Sequence, residues 1–388
     1  MYSSRMRLAG SLLLFFFIVT YSAGEPSNRF TQIAKQADAA RAADQLADAE
    51  RLYREALRVQ PAWKEGWWSL GSLLYDEDRF PEAETAFKRV AAGAGKPGPA
   101  YAFLGLCEYE TRNYDLALKH FREWASGGWA GTPQLIDVGV FHFALLLTRD
   151  GKFVEALYML STEAAKLGDT PAISEAMGLA SLGIPKLPEE YSPVEREPVW
   201  LSGKAAAYAA QSPPDFAQAD EYASHLLARY GDRPNVHYFA GTLFTFENKN
   251  TDAEREFREE LRISPKQVAA MLGLVNLDLD KSQLQEAKSL ASTAVAIEPG
   301  SAEAHHALGR VFLAAGQLQE SVRELETAKK LAPNSAPVRS HLAMAYGRLG
   351  RMQEANEEAN AFQSLSRAES VLAPPNMKAD GGTHGRPR

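Results

Sequence analysis

Cysteine is nearly absent from this 388-residue chain: Cys107 is the only one. No intrachain disulfide can form, so the fold rests on packing alone. Cys107 lies in the apolar stretch 104–109, which makes it a small buried hydrophobe, and no histidine partner in a motif marks it as a nucleophile. Asn-x-Ser/Thr sequons are missing. So is a block of Lys and Arg: the formal net charge is -7 and the charges are mixed along the chain. A nucleic-acid binder needs a basic face against phosphates, so that function class is excluded. No G-x-S-x-G or H-E-x-x-H occurs. Ala92-Gly93-Ala94-Gly95-Lys96 lacks both the spacing and the preceding strand of a phosphate loop, and reads as an interhelix turn. No cofactor site is expected.

Long apolar runs are confined to the N-terminus. Arg5 and Arg7 precede the run 8–20, and Ser22-Ala23-Gly24 places small residues at a cleavage site after Gly24. That order is the layout of a secretory signal peptide over 1–24. The run is short for a bilayer span, though an uncleaved anchor helix is the alternative. Either way the expectation is an exported protein, periplasmic or secreted, with no membrane span in the mature chain.

What the sequence has in abundance is periodicity. Pro265, Pro299 and Pro333 lie 34 apart; Gly71 and Gly105 are 34 apart and Gly241 and Gly309 twice that. Ala49, Ala83 and Ala117 share the grid, as do Ala253, Ala287 and Ala355, and Tyr53, Phe87 and Phe121 continue it. Each unit holds two amphipathic helical stretches around a short polar turn, such as Tyr75-Asp76-Glu77-Asp78-Arg79-Phe80. The small residues suit close helix–helix approach, and the proline ends the second helix. One such unit cannot bury its own apolar face, so neighbours must stack.

This pattern resembles the tetratricopeptide-repeat (TPR) family, roughly W-x2-L-G-x2-Y, then Ala, an aromatic, Ala and Pro. The second unit supplies Trp67, Leu70, Gly71, Leu74, Ala83 and Phe87. The unit from Pro234 supplies Ala240, Gly241, Phe244, Ala253, Phe257 and Pro265, and the last supplies Leu342, Ala343, Tyr346, Ala355 and Ala359. The resemblance covers about residues 30 to 369, with units starting near 30, 64, 98, 137, 200, 234, 268, 302 and 336. It implies an all-α fold, an α-solenoid in which TPR helix pairs wind into a right-handed superhelix. The unit at 137 is displaced by five residues, and the run 183–198 holds four prolines. The expected organisation is an N-terminal array over 25–182, a Pro-rich insertion or hinge over 183–199, and a C-terminal array over 200–369. A disordered tail over 370–388 follows.

The resemblance also implies a non-catalytic scaffold that binds a protein or peptide partner in a concave groove lined by the first helix of each unit. Groove positions carry Trp68, Tyr75, Tyr109, Phe141, Tyr208 and Tyr238, then Asn276, Glu303, His306 and Arg310. Aromatics on a groove give large contact area, although the same side chains could pack between helices. The carboxylate-binding clamp of some family members is not matched in any three consecutive units. His306, His341 and Glu303 form the one conceivable metal set, while His305 takes a packing slot held elsewhere by Trp67 and Met271. An accessory subunit presenting a glycan to an envelope enzyme is the alternative function.

Overall fold

A computed structural model describes residues 28–92 and 96–372. The expected signal peptide, the Gly93–Gly95 turn and the chain beyond 372 lie outside the described residues. All regular structure among the described residues is helical, and the chain divides into two compact units between Leu147 and Thr148.

The first unit contains α1 (Asn28–Ala42), α2 (Leu46–Val59), α3 (Lys64–Asp76), α4 (Phe80–Ala91), α5 (Pro99–Glu110) and α6 (Tyr114–Ser126). Most of α7 (Pro133–Arg149) belongs to it as well. α1 packs on α2, α3 on α4 and α5 on α6, each pair then meeting the next. The second unit contains α8 (Phe153–Leu167), α9 (Pro171–Ser181), α10 (Arg196–Ala209), α11 (Phe216–Tyr230), α12 (Val236–Phe246) and α13 (Asn250–Ile263). It continues through α14 (Val268–Asp280), α15 (Leu284–Ile297), α16 (Ala302–Ala314), α17 (Leu318–Leu331), α18 (Ala336–Arg348) and α19 (Met352–Leu372). From α10 onward the helices again pack as consecutive pairs. Each unit is therefore a stack of helix hairpins, the α-solenoid arrangement.

The 34-residue grid has a physical counterpart at three places in each hairpin. The first is where its helices cross. A Cβ at Gly71 would stand 3.1 Å from the Phe87 ring, at Gly105 2.7 Å from Phe121, and at Gly241 2.7 Å from Phe257. At Gly309 the opposing side chain is Leu325, 2.6 Å away. The facing alanines, Ala49, Ala83, Ala117, Ala253 and Ala287, are wholly buried.

The second is the end of the second helix. Gln60, Ser264, Glu298 and Ala332 each precede a proline, and their φ lies between −133° and −123° with ψ between 75° and 83°. That lies outside the helical region, which proline disfavours in its predecessor, so the helix stops there.

The third is the turn inside the hairpin, which the residue pattern conceals. Asp44, Asp78, Arg112, Asn248, Ser282, Gly316 and Gly350 all have φ between 58° and 76° and fall on one 34-residue grid. Only two of these seven are glycine, so the turn is specified by geometry rather than by residue type. Gly151, φ 75°, is the corresponding residue five places late, matching the displaced unit.

Three expected boundaries move. The 183–199 run does not separate the two units; it lies inside the second. It is an ordered loop: Leu187 is fully buried, and Asn235 Nδ2 donates to the Leu182 carbonyl at 2.9 Å. Tyr191 donates its hydroxyl to Glu175, and Arg233 Nη1 reaches the Val194 carbonyl at 3.3 Å. α10 starts at Arg196, four residues before the expected array, because Pro198 falls in the first turn, where an amide N–H has no intrahelical acceptor to lose. At the other end α19 runs to Leu372, past the expected limit of 369, since no helix breaker precedes Pro374.

α9 is the helix outside the pairing scheme, and it packs chiefly on α10. The two backbones touch. A Cβ at Gly203 would lie 1.7 Å from the Ser174 carbonyl oxygen, and one at Gly178 1.9 Å from that of Val199.

Candidate functional site

In the first unit, α3 carries Trp68 and Tyr75 and α5 carries Tyr109; all three are half-buried. Behind them lies an inner aromatic layer. Trp68 meets Phe87 and Phe103 edge-on, with centroids at 5.5 and 5.4 Å, and Tyr75 meets Phe80 and Phe103 at 5.4 and 5.3 Å. Phe87 and Phe103 are stacked at 4.6 Å and fully buried. The outer rings are thus held rigidly while part of each stays accessible. Burial pushes the Tyr75 phenol well above its ordinary range, so it is a neutral donor. Tyr109 packs edge-on against Tyr114 and His142, at 5.6 and 4.7 Å.

Phe141 departs from the expected row. It is 2% exposed, and every residue from Val140 to Leu147 is buried, so this part of α7 is enclosed on all sides and offers no ring to a partner.

In the second unit, α10 presents Tyr208 and α12 presents Tyr238, both half-buried. Tyr208 stacks on Tyr222 of α11 at 5.7 Å with an interplanar angle of 11°, and Trp200 meets Tyr222 edge-on at 5.3 Å. Trp200, 47% exposed, is the aromatic that the grid positions miss. It lies two turns before Tyr208 on the same face of α10, and that spacing was the signal available. Lys204, between them, pairs with Asp169 at 2.5 Å. Tyr238 leans on Phe257 at 6.0 Å, and burial raises its phenol.

The more distal first-helix positions are polar. Arg310 Nη1 donates to Asn276 Oδ1 at 2.7 Å, and His306 Nε2 lies 3.1 Å from His341 Nδ1. Glu303 does not join these histidines. Its carboxylate accepts from the Ser301 hydroxyl, and no cluster of three metal-ligating side chains exists among the described residues.

His305 occupies the packing slot as expected. Its Nε2 donates to the Pro299 carbonyl at 3.1 Å, as Trp67 Nε1 does to Pro61 at 2.8 Å and Arg339 Nη2 to Pro333 at 2.9 Å. The same slot reaches across the hairpin to a glutamate: His237 to Glu256 at 2.6 Å, His305 to Glu324 at 2.7 Å and Arg339 to Glu358 at 2.8 Å. These pairs tie the hairpin together. Cys107 is fully buried, and burial together with the field of Glu84 and Glu108 holds it as the thiol.

Two stretches, residues 34–99 and 278–344, match models of the tetratricopeptide repeat. With the hairpin geometry repeating every 34 residues, the chain is a tetratricopeptide-repeat protein, and such proteins are protein-interaction scaffolds. Among solved structures it is similar to a MamA from Desulfovibrio magneticus RS-1 at 21% identity, covering 39% of this chain and 86% of that one, TM-score 0.36. It is also similar to YrrB, titled a TPR protein with an unusual peptide-binding site, at 16% identity, covering 42% and 83%, TM-score 0.34. No curated protein matches. Among the described residues, no helix is long and apolar enough to cross a membrane.

Proposed function

We propose that this chain is an exported scaffold that binds an extended segment of a partner protein along its first-helix faces. One observation carries the groove assignment. Within each unit taken by itself, Trp68, Tyr75 and Tyr109 in the first and Tyr208 and Tyr238 in the second keep accessible surface on first helices while packed neighbours fix their rings. Pre-fixed aromatics lose little entropy on binding, which is why they act as hot spots. Export rests on the order of basic, apolar and small residues in 1–24.

The test is crosslinking and recovery of partners from the native envelope fraction, using wild type and a Trp68→Ala/Tyr109→Ala pair. A partner held by wild type and weakened at least about 30-fold in the double variant, roughly 2 kcal/mol, supports the groove. Equal recovery would move the interface off the first-helix face. N-terminal sequencing of the mature protein checks export: a start at Glu25 is expected.

A further inference from the structure

Residues 182–195 join α9 to α10, whereas hairpins later in the same unit are joined by four residues, as at 264–267. Stacking does not call for so long a connection, and long ordered loops in compact folds are usually functional. This one is pinned along its length. Asn235 Nδ2 donates to the Leu182 carbonyl at 2.9 Å. Leu187 is fully buried and its N–H donates to Glu190 at 2.9 Å, while the Ser192 N–H donates to Glu195 at 2.7 Å. Arg233, in the link between α11 and α12, donates to the Val194 carbonyl at 3.3 Å.

Between the loop and that link lies a cleft of about 320 Å³, at the small end of the range for ligand pockets. Its walls are mostly apolar: Leu182, Pro198 and Val236 are buried and Ile184 is half-buried. Three charged side chains line it, Lys186, Glu195 and Arg233. Lys186 and Glu195 pair at 3.0 Å and cancel. Arg233 leaves the lining with one net positive charge. Its guanidinium is fixed by the Val194 carbonyl and by the Tyr230 ring, 5.0 Å from the ring centroid. The walls are therefore set by the protein's own contacts, and a ligand entering them loses little to ordering.

We propose that this cleft binds a free small molecule with one apolar body and one carboxylate. The body lies against Leu182, Ile184, Pro198 and Val236, and the carboxylate takes the guanidinium fork of Arg233. A monoanion matches the single net charge. A phosphate dianion needs a second cation, and Lys186 is committed to Glu195. The site is independent of the groove reading, since it is built on the irregular loop and none of Trp68, Tyr75, Tyr109, Tyr208 or Tyr238 lines it. A ligand there touches both the α9–α10 loop and the α11–α12 link, so it stabilises the second unit by mass action.

The test uses the full chain, phenylpropionate and its uncharged twin phenylpropanol, in titrations followed by methyl NMR at low salt. Phenylpropionate should bind saturably with a Kd of about 1 mM or tighter, and phenylpropanol about tenfold more weakly. Contacts from the ligand ring should fall on the methyls of Ile184 and Val236. Phenylpropionate at about ten times its Kd should raise the melting temperature by about 2–5 °C. Arg233→Gln should bind the acid no better than the alcohol. Because that variant also loses the bond to Val194, Ile184→Trp is the second one: it fills the cleft, leaves that bond in place, and should lose phenylpropionate while melting no lower than wild type. No saturable phenylpropionate binding below about 10 mM, equal affinity for acid and alcohol, or undiminished binding by Ile184→Trp overturns the site. If acetyl-glycyl-phenylalanine binds at least about tenfold more tightly than phenylpropionate, the occupant is a chain end of a partner and the free-molecule proposal falls. Loss of this site leaves a partner's dependence on Trp68 and Tyr109 untouched.

Discussion

Replacing Gly203 with alanine places one methyl group where α9 and α10 have no room for it. The new carbon would start 1.7 Å from the Ser174 carbonyl oxygen and 3.0 Å from the Gly178 amide nitrogen, against 3.4–4 Å for ordinary contact. Both obstacles are helix backbone, which cannot rotate aside as a side chain can. Relief requires the two axes to part by roughly 1.5 Å, and a gap of 0.5–1 Å already forfeits about a quarter to a half of each dispersion contact. The residues that would lose contact include Leu179, Val199 and Leu201, all buried in one cluster. Overpacking typically costs about 1–3 kcal/mol, and a backbone clash of this depth belongs at or above 3. For a unit of this size that is a fall in melting temperature of about 6–12 °C. Circular dichroism melts would measure it, with Gly300→Ala as the control. A Cβ at Gly300 meets nothing within 4 Å, so that variant should be neutral or more stable by about 0.4–1 kcal/mol. Gly71→Ala, facing a ring at 3.1 Å, should fall between the two. A Gly203→Ala protein melting within 2 °C of wild type (roughly the resolution of the assay) would refute the close-crossing argument.

Gly241→Leu carries the same reasoning to a hairpin crossing, where Phe257 stands 2.7 Å from the added carbon; the expected cost is about 1–3 kcal/mol in the same melts. Phe257 itself fills the space between Gly241 and Gly273, so Phe257→Ala should cost about 3–5 kcal/mol in chemical denaturation. The His237–Glu256 pair predicts a pH signature. The hydrogen bond to Glu256 outweighs burial and raises the His237 pKa, so its contribution is complete below about pH 6.5 and lost as pH rises through the raised value. Burial opposes ionisation of Glu256, but His237 and Arg255 win and lower its pKa. Its contribution is present above about pH 4.3 and lost as pH falls through the lowered value. Melting temperature should therefore fall as pH rises above about 6.5, and Glu256→Gln should flatten that fall. An identical slope in the variant would remove the pair as its cause.

The sequence by itself determined whatever depends on local or periodic constraints. Proline at 61, 265, 299 and 333 acts on its own neighbour, so the ends of α2, α13, α15 and α17 were legible. Gly71, Gly105, Gly241 and Gly309 recur because each faces a residue 16 positions later in its own hairpin. The left-handed turn residues escaped that reading, since Arg112 and Ser282 accept the conformation that the hairpin imposes on them. Only the tertiary structure decided exposure and pairing. A period gives a side chain's face but not what covers it, so Phe141 counted with Trp68 until α7 proved enclosed. Trp200 gained its place from Tyr222, a residue of another helix. The α9–α10 crossing lies off the 34-residue grid, because the loop between the helices is irregular, and nothing local announces that Gly178 and Gly203 must meet.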